Sequence, residues 1–293
     1  MELAGSMGKI FGTLEYASRV LRGKVPAGRG ATVFPADVFL VSYPKSGNTW
    51  VRFLIANLVH TTEPVTFLNM EQYLPSIYIL ADRQLRAIPR PRMLKSHECF
   101  HPRYRNVIYI VRDPRDVAVS YYHYNLKKRL LAPGCSFEEY MPHYLADDLD
   151  MRCGAWGDHV MSWLSMAETR EKFLLLRYED MIADTEAVLI RVAEFLGIPA
   201  TEARLKRAVE LSSAGRMRDL EKKQAEQWVF TKGMRQDIPF IRSAKAGGWR
   251  TSLPQSCVQQ IEAAWGKVMQ QVGYPLSKDL PPVESSSEPV SAR

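Results

Sequence analysis

The chain has 293 residues, 46% of them hydrophobic and 24% charged, with a net charge of +7. That is an ordinary globular composition, long enough for one large α/β domain or two smaller ones. No stretch approaches the roughly 20 apolar residues of a membrane span, which excludes a helical membrane protein. The cysteines Cys99, Cys135, Cys153 and Cys257 form no C-x-x-C pair, so neither a zinc site nor a disulfide framework is indicated. The first residues, MELAGSMGKIFGTLEY, open with an acid and lack a long apolar run. They do not read as a signal peptide, and the expectation is a soluble, cytoplasmic protein. The positive charge suits a phosphorylated ligand, nucleic acid or an anionic surface, and charge alone does not choose among them.

In chain order, Ile10 to Leu21 has the spacing of a short amphipathic helix, followed by the loop KVPAGRG. "VFLVSY" from Val38 is a short apolar run ended by a turn, consistent with a buried strand. The turn "PKSGN" follows, then "TWVRFLIANLV", which has helical spacing. "RMLKS" (92–96) and "VIYIV" (107–111) read as further strands. "RDPRD" leads into a helix, "VAVSYYHYNLKKR", whose basic end suits a carboxyl terminus. "FLLLRY" (173–178) is a fourth strand, and "TEAVLIRVAEFLGI" an amphipathic helix closed by Gly197. The stretch 215–250 is highly charged and then rich in small residues, and reads as a mobile basic segment. "SCVQQIEAAWGKVMQQVGY" is a late helix, and 280–293 a Ser/Pro-rich tail read as disordered. Strands alternating with helices predict an α/β fold with a central parallel sheet flanked by helices on both faces. The domain expectation is residues 1–279 as one unit.

In such a sheet, ligands bind beyond the carboxyl ends of the strands. Those ends deliver Pro44 to Trp50 after the first strand, Lys95-Ser96-His97 after the second, Arg112-Asp113-Pro114-Arg115-Asp116 after the third and Tyr178-Glu179-Asp180 after the fourth. Three of the four empty into cations, with a histidine among them: an anion site with a candidate base beside it. The turn Lys45-Ser46-Gly47-Asn48-Thr49 lets backbone N–H groups and a helix N-terminus face an anion. It is P-loop-like, but its lysine precedes its single glycine, so it does not fit the G-x-x-x-x-G-K-[ST] pattern. Taken alone it also fits a tight connection with a surface lysine. Asp113 and Pro114 are accounted for as N-cap and first helical residue; Arg112 and Ser120 are not.

His97-Glu98-Cys99-Phe100-His101 spells H-E-x-x-H, the pattern of zinc proteases. Zinc binding by that pattern needs both histidines one turn apart on a helix. Here a strand runs into His97 and Pro102 follows His101 at once, which leaves Glu98 and a solvated His101 as loop residues. His123, His143 and His159 read as structural, and Lys127, Lys128 and Arg129 as a solvated helix end.

"YPKSGNTWVRFLI", "LKSH", "IYIVRDPRDVAVSYYHY", "RYEDM" and "FIRSAKAGGWR" together resemble the cytosolic sulfotransferase family in order and spacing, over about residues 35 to 275. The resemblance implies an α/β domain with a P-loop-like nucleotide site. The donor would be 3′-phosphoadenosine 5′-phosphosulfate (PAPS), the acceptor a hydroxyl or amine of a small molecule, and no metal would be needed. By the family's pattern Lys45, Ser46, Gly47, Asn48 and Thr49 hold the 5′-phosphosulfate, and Trp50 stacks on the adenine. Arg112 and Ser120 bind the 3′-phosphate with help from Arg242. Tyr178 and the stretch from Ser212 to Met217 lie near the adenine. His97 matches the catalytic base and Lys95 a lysine that steers the transferring group; Lys45 and Ser120 complete the catalytic set. Ser243 and Ala244 also fall in the cofactor-binding set, where the family has Lys and Gly. Ala214 stands where the family has an aromatic, and Asn48 where threonine is common. These departures put donor affinity in question. The competing readings are an ATP-dependent small-molecule kinase and a nucleotide-binding protein without turnover. Residues around 67–90, Phe100 and 135–150 are expected to wall the acceptor pocket. Neither nucleic acid nor a membrane is an expected partner. The charged dimerisation motif of many animal members is not apparent, and no oligomer is assigned.

Overall fold

The structure, a computed structural model, describes residues 25–149, 153–167 and 172–281. The helix expected at Ile10 to Leu21, and the tail from residue 282 on, lie outside the described residues.

Four strands form the sheet: β1 (Val38–Ser42), β2 (Met93–Ser96), β3 (Asn106–Val111) and β4 (Lys172–Arg177). Their order is β2-β1-β3-β4, all parallel. Leu40 pairs with Lys95 on one side and Ile108 on the other, and Ile108 pairs with Leu174. β1, β3 and β4 were legible as short apolar runs because both faces of the sheet are covered; β2 was read from RMLKS, whose Lys95 and Ser96 are buried polar residues. Phe39, Val41, Val107, Tyr109 and Val111 pack into one core, and Leu40, Ile108, Ile110 and Leu176 into the other. A strand buried on both faces needs apolar residues at every position, not at alternate ones.

The helices are α1 (Asn48–Val59), the short α2 (Met70–Tyr73) and α3 (Asp82–Arg86), α4 (Pro114–Lys127), α5 (Phe137–Ala146), α6 (Trp156–Ala167), α7 (Tyr178–Ala183), α8 (Thr185–Leu196), α9 (Glu202–Leu211), α10 (Ala214–Gln224), the short α11 (Trp249–Ser252) and α12 (Gln255–Gln271). Helices α1, α8 and α9 cover one face through Leu54, Ile55, Leu58, Val188, Val192 and Leu205. Helices α4, α5, α6 and α12 cover the other through Val117, Tyr140, Trp163 and Ile261, among others. Asp113 caps α4 as expected, its side chain accepting from Arg115 N at 2.9 Å, with Pro114 at the first position. Gly197 closes α8 at φ 68°.

The longer helices α5, α6 and α9 escaped the reading of the sequence, as did the short α2, α3, α7 and α11. Helix α5 does carry a start signal, the capping box of Ser136 and Glu139. The stretch read as a mobile basic segment is corrected. Its first part is the three-turn helix α10, capped by Ser213, whose side chain accepts from Arg216 N. Lys127 is corrected as well: it is buried, not solvated, and its Nζ donates to the carbonyls of Arg235 at 2.9 Å and Ile238 at 2.7 Å. His101 is also buried, stacked on Tyr104 at 4.5 Å between ring centroids.

Candidate active site

The β2-β1-β3 order makes β1 the point where the chain reverses direction across the sheet, and the crevice above such a point is where ligands bind. A cavity of about 370 Å³ opens there. It draws its lining from the segments after all four strands and from the stretch 209–244. Among the residues singled out from the sequence, Lys45, Gly47, Asn48, Thr49, Trp50, Lys95, His97, Arg112, Ser120, Tyr178, Ser212, Met217, Arg242, Ser243 and Ala244 all line it. Ser46 lies behind this wall, fully buried.

The turn between β1 and α1 owes its shape to two left-handed residues, Lys45 at φ 66° and Gly47 at φ 95°. Lysine adopts that region at a cost, whereas glycine enters it freely. Gly47 is also held by space: a Cβ there would come within 2.5 Å of Cδ2 of Tyr178. Tyr178 in turn meets Trp50 edge-on at 5.6 Å and carries the Arg112 guanidinium 4.2 Å above its ring. Lys45 Nζ sits between two rings that sequence reading missed, Tyr124 at 4.2 Å and Phe240 at 4.1 Å. Burial first, and then the charge of Arg112, lower its pKa to about 7.

His97 is buried at the end of β2. Its Nδ1 is 2.7 Å from the carbonyl oxygen of Ser42, which can only accept, so Nδ1 carries the proton and Nε2 keeps its lone pair. Burial, then the neighbouring Lys95, hold the ring well below the usual histidine pKa, so it is neutral at pH 7. The backbone of His97 and Glu98 is fixed by three side chains. The His97 N–H donates to Tyr78 Oη at 2.9 Å, and its carbonyl accepts from His159 Nε2 at 3.1 Å. One residue on, Trp163 Nε1 donates to Glu98 O at 3.0 Å. Helix α6 thus grips the loop that begins at His97. His159, read as structural, is structural in this specific sense: its other nitrogen accepts from Tyr109 Oη at 2.9 Å. Residues 97–101 lie outside any helix, and His97 and His101 engage different partners, so the H-E-x-x-H spelling has no zinc-protease geometry.

Five cations line the cavity, Lys45, Arg52, Lys95, Arg112 and Arg242, and no aspartate or glutamate does so among the described residues. Arg52 is spent on Glu71 and the Leu74 carbonyl. By contrast, the buried Ser46 Oγ, Asn48 Oδ1, Arg112 Nε and Arg242 Nε have no hydrogen-bond partner. Buried polar atoms are nearly always paired; Ser46 Oγ and the two guanidinium Nε can donate to a polar, anionic ligand, whereas Asn48 Oδ1 as oriented can only accept.

The segment 235–249 forms the remaining wall and is strapped down by charged side chains. Lys127 holds Arg235 and Ile238. Glu221 accepts from the N–H groups of Phe240 and Ile241. Arg218 donates to the carbonyls of Arg242 and Ser243. Arg112 donates to Lys245 O, and Asp116 accepts from the N–H groups of Gly247 and Trp249. None of these clasps was visible in the sequence, because each joins positions far apart in the chain. Of the stretches expected to wall the acceptor pocket, 67–90 brings Tyr78 against His97, its Oη accepting from His97 N. The cavity takes no lining from 67–90, Phe100 or 135–150. Phe67, Met70, Tyr140 and Tyr144 from those stretches are fully buried in the core.

A family model described as the sulfotransferase domain matches residues 35–273. The chain belongs to the sulfotransferase family. Sulfotransferase 1B1 of Mus musculus is 27% identical to it over 253 residues, 80% of this chain and 83% of that protein. The 3-beta-hydroxysteroid sulfotransferase of Cavia porcellus is 26% identical over 252 residues, 82% and 85% of the two chains. Among solved structures, a retinol dehydratase in a complex with retinol and PAP superposes with a TM-score of 0.70 at 22% identity, over 85% of this chain and 86% of that one. Mouse sulfotransferase SULT7A1 complexed with PAP gives 0.67 at 23% identity, over 85% and 89%. These structural likenesses establish the fold. Family membership makes this sulfotransferase an enzyme of sulfuryl transfer. No group of three or more His, Cys, Asp or Glu side chains placed to hold a metal ion occurs among its described residues.

Proposed function

We propose that this sulfotransferase moves the sulfuryl group of PAPS to a hydroxyl or amine of a small-molecule acceptor, with His97 as general base. One observation carries the reading: a neutral histidine with a bare Nε2 and a set of unpartnered cationic and polar atoms line the same cavity. PAP, the product nucleotide, is what two of the structural neighbours hold. The donor supplies an activated sulfuryl group; the chain supplies binding, orientation and proton transfer. Lys45 and the N-terminus of α1 stand where negative charge on the leaving phosphate would build, and stabilise it more in the transition state than before it. Arg112, Arg242 and Ser120 suit a second phosphate, and Trp50, Tyr178, Ser212 and Met217 suit the adenine, with Ser243 and Ala244 at the phosphate's edge. Lys95, also in the wall, steers the group in transit. His97 takes the acceptor's proton at Nε2, a task for a group neutral at working pH.

A cavity lined by cations and no carboxylate favours this over a kinase, whose magnesium is held through carboxylates. The four cysteines, all free thiols, support a reducing, cytoplasmic setting. The test is calorimetric titration with PAP in EDTA, beside turnover of His97→Ala. The expected result is micromolar or tighter binding that ADP does not match, and loss of at least 100-fold in turnover with PAP binding retained. Normal turnover by His97→Ala removes the base assignment. Absence of PAP binding removes the donor.

A further inference from the structure

Ser42 ends β1, is fully buried, and touches both halves of the site. Its carbonyl oxygen receives the His97 Nδ1 proton at 2.7 Å, and its Oγ lies 3.4 Å from the same nitrogen. The same Oγ receives Asn48 Nδ2 at 3.2 Å. Asn48 opens α1 and lines the cavity, and its own Oδ1 is buried with no partner. One hydroxyl therefore stands between the anion turn and the base.

An unpartnered carbonyl oxygen is a poor neighbour for an incoming polyanion. Turning the Asn48 amide over removes the conflict: NH2 then faces the anion and Oδ1 faces Ser42. The two orientations differ only in how the hydrogen-bond network is satisfied. With Oδ1 beside it, Ser42 Oγ donates its proton to Asn48 and turns a lone pair toward the proton on His97 Nδ1. In the donor-free arrangement Oγ accepts from Asn48 instead, and its proton is not fixed by the amide. A second acceptor sharing the Nδ1 proton with the Ser42 carbonyl makes Nε2 more basic. We propose that Ser42 is a positioning residue that reports donor occupancy, sensed by the Asn48 amide, to the imidazole of His97. The base is then strengthened only when the nucleotide's phosphates fill the turn. The inference rests on the donor reading above.

The test tracks His97 by NMR in 15N-histidine-labelled protein, titrated from pH 4 to 8 with and without PAP. Lys95 from β2, His159 from α6 and Arg52 from α1 act on the same ring and are unchanged in every variant. PAP's own charge raises the His97 midpoint in all forms. The expected result is a rise about one unit larger in the wild type than in Ser42→Ala or Asn48→Ala, the worth of one hydrogen bond to a charged group. Turnover of Ser42→Ala falls about tenfold while its PAP affinity stays within threefold. Should Ser42→Ala fail to fold, Asn48→Ala at the helix start carries the test alone. PAP binding with an equal rise in wild type and variants overturns the relay and leaves the donor reading standing. No PAP binding to the wild type overturns both.

Discussion

Burial first, and then the charge of Arg112, lower the pKa of Lys45 in the free protein to about 7. An anion in the cavity reverses that shift. Binding of PAP therefore takes up a proton above pH 7, and not below it, where the lysine is already charged. The apparent affinity for PAP falls by up to about tenfold per pH unit above 7. Calorimetry at pH 6 and pH 8 in buffers of differing ionisation heat measures the uptake, and buffer-independent heats at pH 8 count against it. A second residue holds strain of its own. Ala244 sits at φ 52°, the left-handed region, where the family pattern has glycine. Ala244→Gly is expected to stabilise the protein by about 1 kcal/mol in denaturant unfolding, net of the freedom glycine gains in the unfolded chain. An unchanged midpoint would mean the loop bears no strain.

Among the elements, the segment 235–249 decides how the cavity is closed. It has little regular structure of its own apart from the start of α11, and its backbone is held by Lys127, Glu221, Arg218, Arg112 and Asp116. Two of these, Glu221 and Arg218, stand on α10, so a helix taken for a loose segment is the frame on which the wall is hung. Lys127→Met removes two charged hydrogen bonds at the buried end of α4. The expected cost is roughly 2 kcal/mol of stability, with faster trypsin cleavage at Arg235, Arg242 or Lys245 and weaker PAP binding. Cleavage at the wild-type rate would show that the other four clasps suffice. The elements themselves differ in how they could be read. Strands buried on both faces announce themselves as apolar runs. Helix α5, whose tyrosines are buried against α4 and α12, shows only its Ser136–Glu139 box, and α10 shows mostly charge because only Met217 and Glu221 are buried.

For the whole molecule, the cavity belongs to no single element. Its walls include 44–50, 112–124 and 240–244, brought together by the β2-β1-β3 order. PAP binding should therefore stabilise the protein globally, by about 2.7 kcal/mol at 100 times its dissociation constant. Hydrogen exchange should show protection in all three segments together. Protection confined to one of them would place the ligand elsewhere.

By itself the sequence determined the sheet, the turn and the chemistry. Apolar runs bounded by turns marked β1, β3 and β4, RMLKS read as a shorter strand beside them, and parallel strands all open at their carboxyl ends onto one edge of the sheet. That is why Lys45, His97, Arg112 and Tyr178 could be named before any contact was known. Only the tertiary structure decided what those residues are. The tautomer of His97 depends on the Ser42 carbonyl 55 positions away, and the charge of Lys45 on its burial and on Arg112. Lys127 looked like a solvated helix end because a run of three cations is polar wherever it lies. The carbonyls of Arg235 and Ile238, more than a hundred residues on, made it a buried strut. Local patterns record what a segment buries; which distant group meets a polar side chain is set only when the chain closes on itself.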